Sequence, residues 1–302
     1  MLLITGASGF LGTHIHRQCK DLKPLTPSHR ELDLLDLNAV MYYLEKHNVT
    51  QIIHAAGYVG GIGLHIAHPG KVAIENLRMG INLIEAASYK GNVRFVNIST
   101  VCIYPENAPI PICESTAHDG YPAPDTAFYG ISKKTLHVLA SAMALEFGLS
   151  HATVVPTNLY GPGDHYDETK SHVVPALIRK AHECKSTSEN SMVVWGDGSQ
   201  IRDLLYAPDC AKWIRKVLES NVNDQMINLG SGVGISIKNL AETIKSVVGY
   251  EGEIIWDISK PTGAPKRLLD VSNAEEKLGF GALTTIGKGL EETYKDFLKR
   301  EL

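Results

Sequence analysis

The sequence predicts an α/β protein: a doubly wound parallel sheet followed by a smaller, irregular C-terminal α/β domain that would hold a substrate. Two observations carry that prediction. Through the first half of the 302 residues, apolar runs of strand length alternate with helix-length amphipathic segments, the pattern of βαβ units. After about residue 160 this regularity loosens into turn-rich stretches such as "WGDGSQ" and "NLGSGVG".

Taken in order, "LLIT" is a first strand, and a helix over residues 10–20 follows it. "PLTPSHREL" occupies the place of the second strand and its end. Residues 51–56, 93–99 and 152–156 are short apolar runs and read as further buried strands. Between them, residues 38–47, 71–90 and 126–147 place apolar side chains near a 3.6-residue period, and Gly148 is positioned to cap the last of these helices. The polar stretch 181–191 is expected to be mobile. The boundary falls near residue 160: residues 1–160 would form a dinucleotide-binding domain, with sheet contributions from later segments, and 161–302 mainly the substrate domain.

Composition narrows the function. A net charge of −4 gives no global attraction for nucleic acid or an anionic membrane, so phosphate binding must come from local groups. The five cysteines, Cys19, Cys102, Cys113, Cys184 and Cys210, are widely spaced, with no C-x-x-C and no zinc-ligand spacing. That usage points to a reducing, cytoplasmic compartment and no bound metal. Neither a signal peptide nor a membrane helix is expected, because the first apolar run breaks at once into glycine.

"TGASGFLG" sets Gly6, Gly9 and Gly12 three residues apart, after a strand and at the start of a helix. The first glycine makes a tight turn, the second admits a pyrophosphate to the backbone, and the third lets helix and strand pack closely, with the helix N-terminus facing the anion. This frame raises a Rossmann-type dinucleotide site above an ordinary βα turn. The second strand's end carries His29 and Arg30 with no acid before Glu31, which favours NADP(H) over NAD; the alternative is that Arg30 pairs on the surface with Glu31 or Asp33.

Tyr129 and Lys133 stand four apart at the start of a long helix and so share a face. A nearby ammonium would favour the ionised phenol, and Thr100, at the end of the fourth expected strand, could orient a carbonyl oxygen by hydrogen bonding. By itself the pair could be a solvated face; after a glycine loop and a strand ending "IST" it reads as the proton-handling set of a hydride-transfer enzyme.

With these residues in place the sequence resembles the extended short-chain dehydrogenase/reductase superfamily, and within it the GDP-L-fucose synthase family. The blocks that carry the likeness are "SHRELDLLD", "VGGI", "CIYP", "PTNLYGPGD", "SHVVPALIRK", "VVWGDGSQIRDLLY" and "SKPTGAPKRLLDV". It implies NADPH-dependent 3,5-epimerisation and 4-reduction of a GDP-4-keto-6-deoxy-mannose-type sugar to GDP-L-fucose. Thr100 stands for the family's serine beside Tyr129 and Lys133, and the epimerising cysteine and histidine fall on Cys102 and His172. A thiol and an imidazole suit that task, since protons next to a ketone are acidic and inversion needs one group to take a proton and another to return one. Alone, Cys102 would read as a small buried apolar residue and His172 as a structural histidine.

The resemblance also implies cofactor contacts. From the first domain they come from Gly6, Ser8, Gly9, Phe10, Leu11 and Gly12, then from Arg30, Asp33, Leu34 and Ala56. Tyr129, Lys133, Pro156, Asn158, Leu159 and His172 complete that set, and Val173, Lys180, Trp195, Arg202 and Arg267 would bind the nucleotide sugar. Lys180 and Arg267 each reverse the family's usual basic residue; on residue type alone, Lys180 could cap a helix face and Trp195 could be core. Ser8 replaces a residue that can be basic, and the loop after "VGGI" reads "GLHIAH" where asparagines are usual, which leaves room for another hexose or a heptose and for an altered cofactor preference. Two other functions are compatible: a C4 reductase or epimerase of a different nucleotide sugar, such as a GDP-heptose, and a cofactor-sensing binding protein. A homodimer through the helices at 71–90 and 126–147 is expected by analogy.

Overall fold

The structure is a computed structural model and describes residues 1–167, 171–260, 264–279 and 283–301. Parts of two expected stretches, the loop at 160–171 and the block at 259–271, lie outside the described residues. Five parallel strands form the main sheet in the order β1 (Leu2–Thr5), β2 (Gln51–His54), β3 (Arg94–Ile98), β4 (Ser150–Pro156), β8 (Gln225–Leu229). Each is nearly all buried, as expected where helices cover both faces. On one face α1 (Phe10–Gln18) and α7 (Ala207–Glu219) pack over Ile4, Ile53, Val96 and Val154; on the other, α2 (Leu37–Lys46), α4 (Pro69–Lys90) and α5 (Ala127–Phe147) pack over Leu3, Ile52 and Phe95.

Local chemistry fixes these elements. Asp36 caps α2 by accepting the N–H groups of Asn38 and Ala39. Gly148 ends α5 in the left-handed conformation (φ 72°), as the sequence expected. The long helices α4 and α5 approach closely because Gly80 has no side chain: a Cβ there would meet Leu136 at 2.2 Å.

Three local expectations are corrected. The expected second strand is a single bridge, Leu25 beside Leu3, because the two prolines of "PLTPSHREL" remove ladder donors. The stretch 181–191 is not all loop, since its first half completes α6 (Val173–Ser186), where Ala181 and Cys184 are buried. The "GLHIAH" loop contains most of the short helix α3 (Ile62–Ala67).

In the second half, β5 (Asn158–Tyr160), β7 (Ile201–Tyr206), β9 (Gly234–Ser236) and β11 (Lys266–Arg267) form one small sheet. Strands β6 (Ser191–Trp195) and β10 (Glu253–Asp257) form another. Helices α6, α8 (Ile237–Val248) and α10 (Ile286–Glu301) enclose a second core around Leu177, Ile178, Leu240, Ile244 and Phe297. Helix α9 (Ser272–Leu278) returns to pack on β8. Among the described residues no helix is long and apolar enough to cross a membrane, and no three His, Cys, Asp or Glu side chains converge as metal ligands.

Candidate active site

The glycine turn closes into a cradle at the carboxyl edge of the sheet. Gly6 leaves β1 with φ +69°, and a Cβ there would lie 2.6 Å from the Ala56 nitrogen. At Gly12 a Cβ would lie 1.9 Å from the Gly6 carbonyl oxygen, so helix and strand can touch here only through glycine. Gly9 caps α1 without a side-chain partner, and the first turn carries no acid, which leaves the opening N–H groups beside Phe10 and Leu11 for an anion. Ser8 is exposed on the rim.

Arg30 is exposed and forms no ion pair among the described residues, so its surface pairing with Glu31 or Asp33 is not seen. Glu31 instead accepts from the backbone and hydroxyl of Ser28, both at 2.8 Å, while Asp33 lies 3.7 Å from His29 and accepts the Leu35 N–H. Leu34 is buried below this segment, its carbonyl held by Asn82.

Beyond β3, Thr100 turns the chain. Its Oγ1 accepts the Cys102 N–H at 3.2 Å, capping the 3₁₀ turn Val101–Ile103, so the hydroxyl proton is left to donate elsewhere. That turn lies hard against α5: a Cβ on Gly130 would meet the Cys102 carbonyl oxygen at 2.1 Å. Tyr129 precedes this glycine and lies within electrostatic range of the Cys102 thiol, and both Tyr129 and Lys133 are buried.

Their electrostatics differ from the sequence expectation. Burial first, and the Cys102 charge second, push the Tyr129 phenol well above its ordinary value, while burial pushes Lys133 down to about 8. Desolvation, with no attraction from Lys133 to offset it, keeps Tyr129 protonated at neutral pH and suited to donate a proton. The Lys133 ammonium has no hydrogen bond among the described residues, which suits a ligand bearing hydroxyl acceptors. His54, overlooked in the sequence because it ends an apolar strand, is fully buried near Lys133; its Nδ1 lies 2.9 Å from Thr5 Oγ1, and desolvation keeps it neutral.

His172 caps α6 with its side chain 57% exposed, and its Nδ1 stands 3.7 Å from Oδ1 of the fully buried Asp164. That partnership raises the His172 pKa. The other Asp164 oxygen, Oδ2, has no hydrogen-bond partner among the described residues. His65 on α3 packs on the phenol, its ring centroid 5.1 Å from that of Tyr129, and lies within electrostatic range of His172. Neither Asp164 nor His65 stands out in the sequence; no periodicity links residue 164 to 172, or residue 65 to either.

The expected substrate residues fall in separate places: Arg202 and Arg267 on the small sheet, Lys180 and Trp195 on α6 and β6, and Val173 at the start of α6. Parallel pairing of β11 with β7 sets Arg267 directly beside Arg202. Burial, then the Arg267 charge, lowers the Arg202 pKa, and two cations side by side favour an anion between them. Lys180 donates to the Val193 carbonyl at 2.7 Å, tying α6 to β6 rather than capping a free face. Trp195, on the same strand, is exposed rather than core and lies under the Lys260 ammonium. Val173 is half-buried next to His172. Pro156 is buried in the β4–β8 ladder, Leu159 packs on the first core, and Asn158 Nδ2 donates to the Asp203 carbonyl at 3.4 Å.

A parallel sheet with a glycine cradle, and beside it a buried tyrosine–lysine pair next to a thiol, belongs to the short-chain dehydrogenase/reductase class of dinucleotide-dependent enzymes. More narrowly, the chain belongs to the NAD dependent epimerase/dehydratase family, whose model matches residues 2–230. It is 34% identical over 312 residues to GDP-L-fucose synthase of Escherichia coli (strain K12), covering 99% of this chain and 97% of that protein. To GDP-L-colitose synthase of Yersinia pseudotuberculosis it is 34% identical over 304 residues, covering 99% and 98%. The crystal structure of a GDP-L-fucose synthetase from Naegleria fowleri bound to NADP superposes with a TM-score of 0.88 at 26% identity, over 99% of this chain and 93% of that one. The expected resemblance and the Rossmann-type fold are both borne out.

Proposed function

We propose that this protein is an NADPH-dependent epimerase-reductase that converts a GDP-4-keto-6-deoxy-mannose-type sugar to GDP-L-fucose. The observation that carries this reading is the position of the buried Tyr129 phenol, packed on the His65 ring and within electrostatic range of the Cys102 thiol, with His172 in turn within range of His65. Residues 1–160 hold the cofactor: the glycine cradle and the α1 N-terminus take the pyrophosphate, Arg30 the 2′-phosphate, and Lys133 the ribose hydroxyls. Residues 161–302 hold the nucleotide sugar, with Arg202 and Arg267 at its diphosphate.

The chemistry follows from the groups. One of Cys102 and His172 removes the proton from a carbon next to the C4 ketone, and the resulting enolate oxygen accepts hydrogen bonds from Tyr129 and Thr100. The other returns a proton to the opposite face, exchange with solvent restores both groups to their starting protonation states, and the sequence repeats at the second carbon. NADPH supplies the hydride that reduces C4. Tyr129, kept protonated by burial, gives the C4 oxygen its proton, and Lys133 stabilises the phenolate that remains.

The test is incubation of the purified protein with NADPH and GDP-4-keto-6-deoxy-mannose in D₂O, with product stereochemistry read by NMR. Deuterium at C3 and C5 with matching NADPH oxidation supports the reading. NADPH oxidation without exchange would make the protein a C4 reductase, and NADPH binding without turnover a binding protein. The similarity to a GDP-L-colitose synthase favours a second reading, the same machinery on a different GDP-4-keto sugar, so the panel includes deoxy and heptose analogues. A homodimer through α4 and α5 is also proposed, supported by exposed Ile74 on α4 and by Val138 and Leu145 on α5; sedimentation giving a monomer would reject it.

A further inference from the structure

His65 has a chemical deficit. It is only 8% exposed, and its Nε2 lies 3.1 Å from the Gly60 carbonyl oxygen, to which it must donate because a carbonyl cannot. In the neutral ring this leaves Nδ1 as a bare acceptor, and that atom is buried without a hydrogen-bond partner among the described residues. A buried acceptor lacking a donor is costly, so such an atom next to a reacting group marks the place of a donor that arrives with a ligand. The ring packs on Tyr129, at 5.1 Å between centroids, and lies within electrostatic range of His172.

We propose that His65 is a sugar-recognition residue whose Nδ1 accepts a hydrogen bond from the C3 hydroxyl of the bound 4-keto sugar. The inference rests on the reading given under Proposed function and deepens it. Tyr129 addresses the C4 oxygen, so a ring packed on Tyr129 reaches substituents on the carbons next to C4. In a 4-keto-6-deoxy hexose C5 carries a methyl group and only C3 carries a hydroxyl. The acceptor therefore selects sugars that keep that hydroxyl and fixes the ring orientation relative to Tyr129 and His172.

The test compares two substrates, GDP-4-keto-6-deoxy-mannose and its 3-deoxy analogue, on the full-length protein and on His65→Phe, which keeps an aromatic ring but removes the acceptor. The wild type is expected to favour the 3-hydroxy substrate by about 10- to 100-fold in kcat/KM, the scale of an unpaired buried acceptor. His65→Phe should lose that preference through KM more than kcat and treat both substrates nearly alike. His65→Asn, which restores an acceptor, should recover part of it. An equal loss on both substrates would mean that the ring merely packs, and would overturn the proposal. A wild type indifferent to the C3 hydroxyl would overturn it without any variant, which covers a His65→Phe protein that fails to fold. A wild type that turns over neither substrate would instead overturn the functional reading itself.

Discussion

At the scale of single residues, the site sets one desolvated cation against one desolvated acid. Lys133 has its folded pKa at about 8 against an ordinary 10.5, so between those values the unfolded chain binds more protons than the folded one. By linkage, its contribution is most unfavourable below pH 8 and is relieved as pH rises through that window, an effect of about 3 kcal/mol at about 1.4 kcal/mol per unit. Lys133→Met should therefore raise the Tm of the cofactor-free protein by a few degrees near pH 7 while abolishing turnover; a lower Tm on calorimetry would contradict the assignment. Cys102→Ser should cut deuterium exchange at C3 and C5 by about 10²- to 10⁴-fold, the range of general acid–base catalysis, yet leave reduction of an already epimerised substrate intact. His172 has the opposite sign to Lys133: Asp164 raises its pKa, so the imidazolium survives to higher pH. Asp164→Asn should shift the alkaline fall of the exchange rate to lower pH, read from a pH profile, with little change in NADPH affinity.

At the scale of elements, close contacts decide where chemistry can occur. The turn that carries Cys102 reaches Tyr129 only because α5 has glycine at 130, where any Cβ would strike the Cys102 carbonyl. Gly130→Ala should displace the turn, cost about 1–3 kcal/mol as overpacking does, and reduce epimerisation more than NADPH binding, measured by exchange and by cofactor fluorescence. The glycine cradle obeys the same logic at Gly6 and Gly12. Here the sequence was explicit, since three glycines at fixed spacing between a strand and a helix spell out both the tight turn and the close packing. The helix α3 was not legible. "GLHIAH" carries a glycine and follows two more, signals for a loop, and its helical form comes with packing on the turn at Pro124–Thr126 and with burial of His65.

At the scale of the whole molecule, the second half returns to the first. Strand β8 completes the main sheet and α7 covers one of its faces, while the small sheet around β7 presents Arg202 and Arg267 as neighbours from segments far apart in the chain. Arg267→Gln should raise KM for the nucleotide sugar by about tenfold with kcat little changed, because a charge-assisted contact to a diphosphate binds ground and transition states alike. An unchanged KM would remove Arg267 from the substrate site.

By itself the sequence determined most of the alternating strands and helices of the first half, though not the loss of the second strand or the helix α3, together with the dinucleotide turn and the tyrosine–lysine pair, because periodicity and short-range spacing encode those features. Only the tertiary structure decided that Tyr129 stays protonated, that Asp164 supports His172, and that His65 lies against the phenol. These depend on desolvation and on contacts between residues far apart in the chain, which no local pattern records. A pKa or an orphaned lone pair is a property of the surroundings, and the surroundings exist only once the chain has folded.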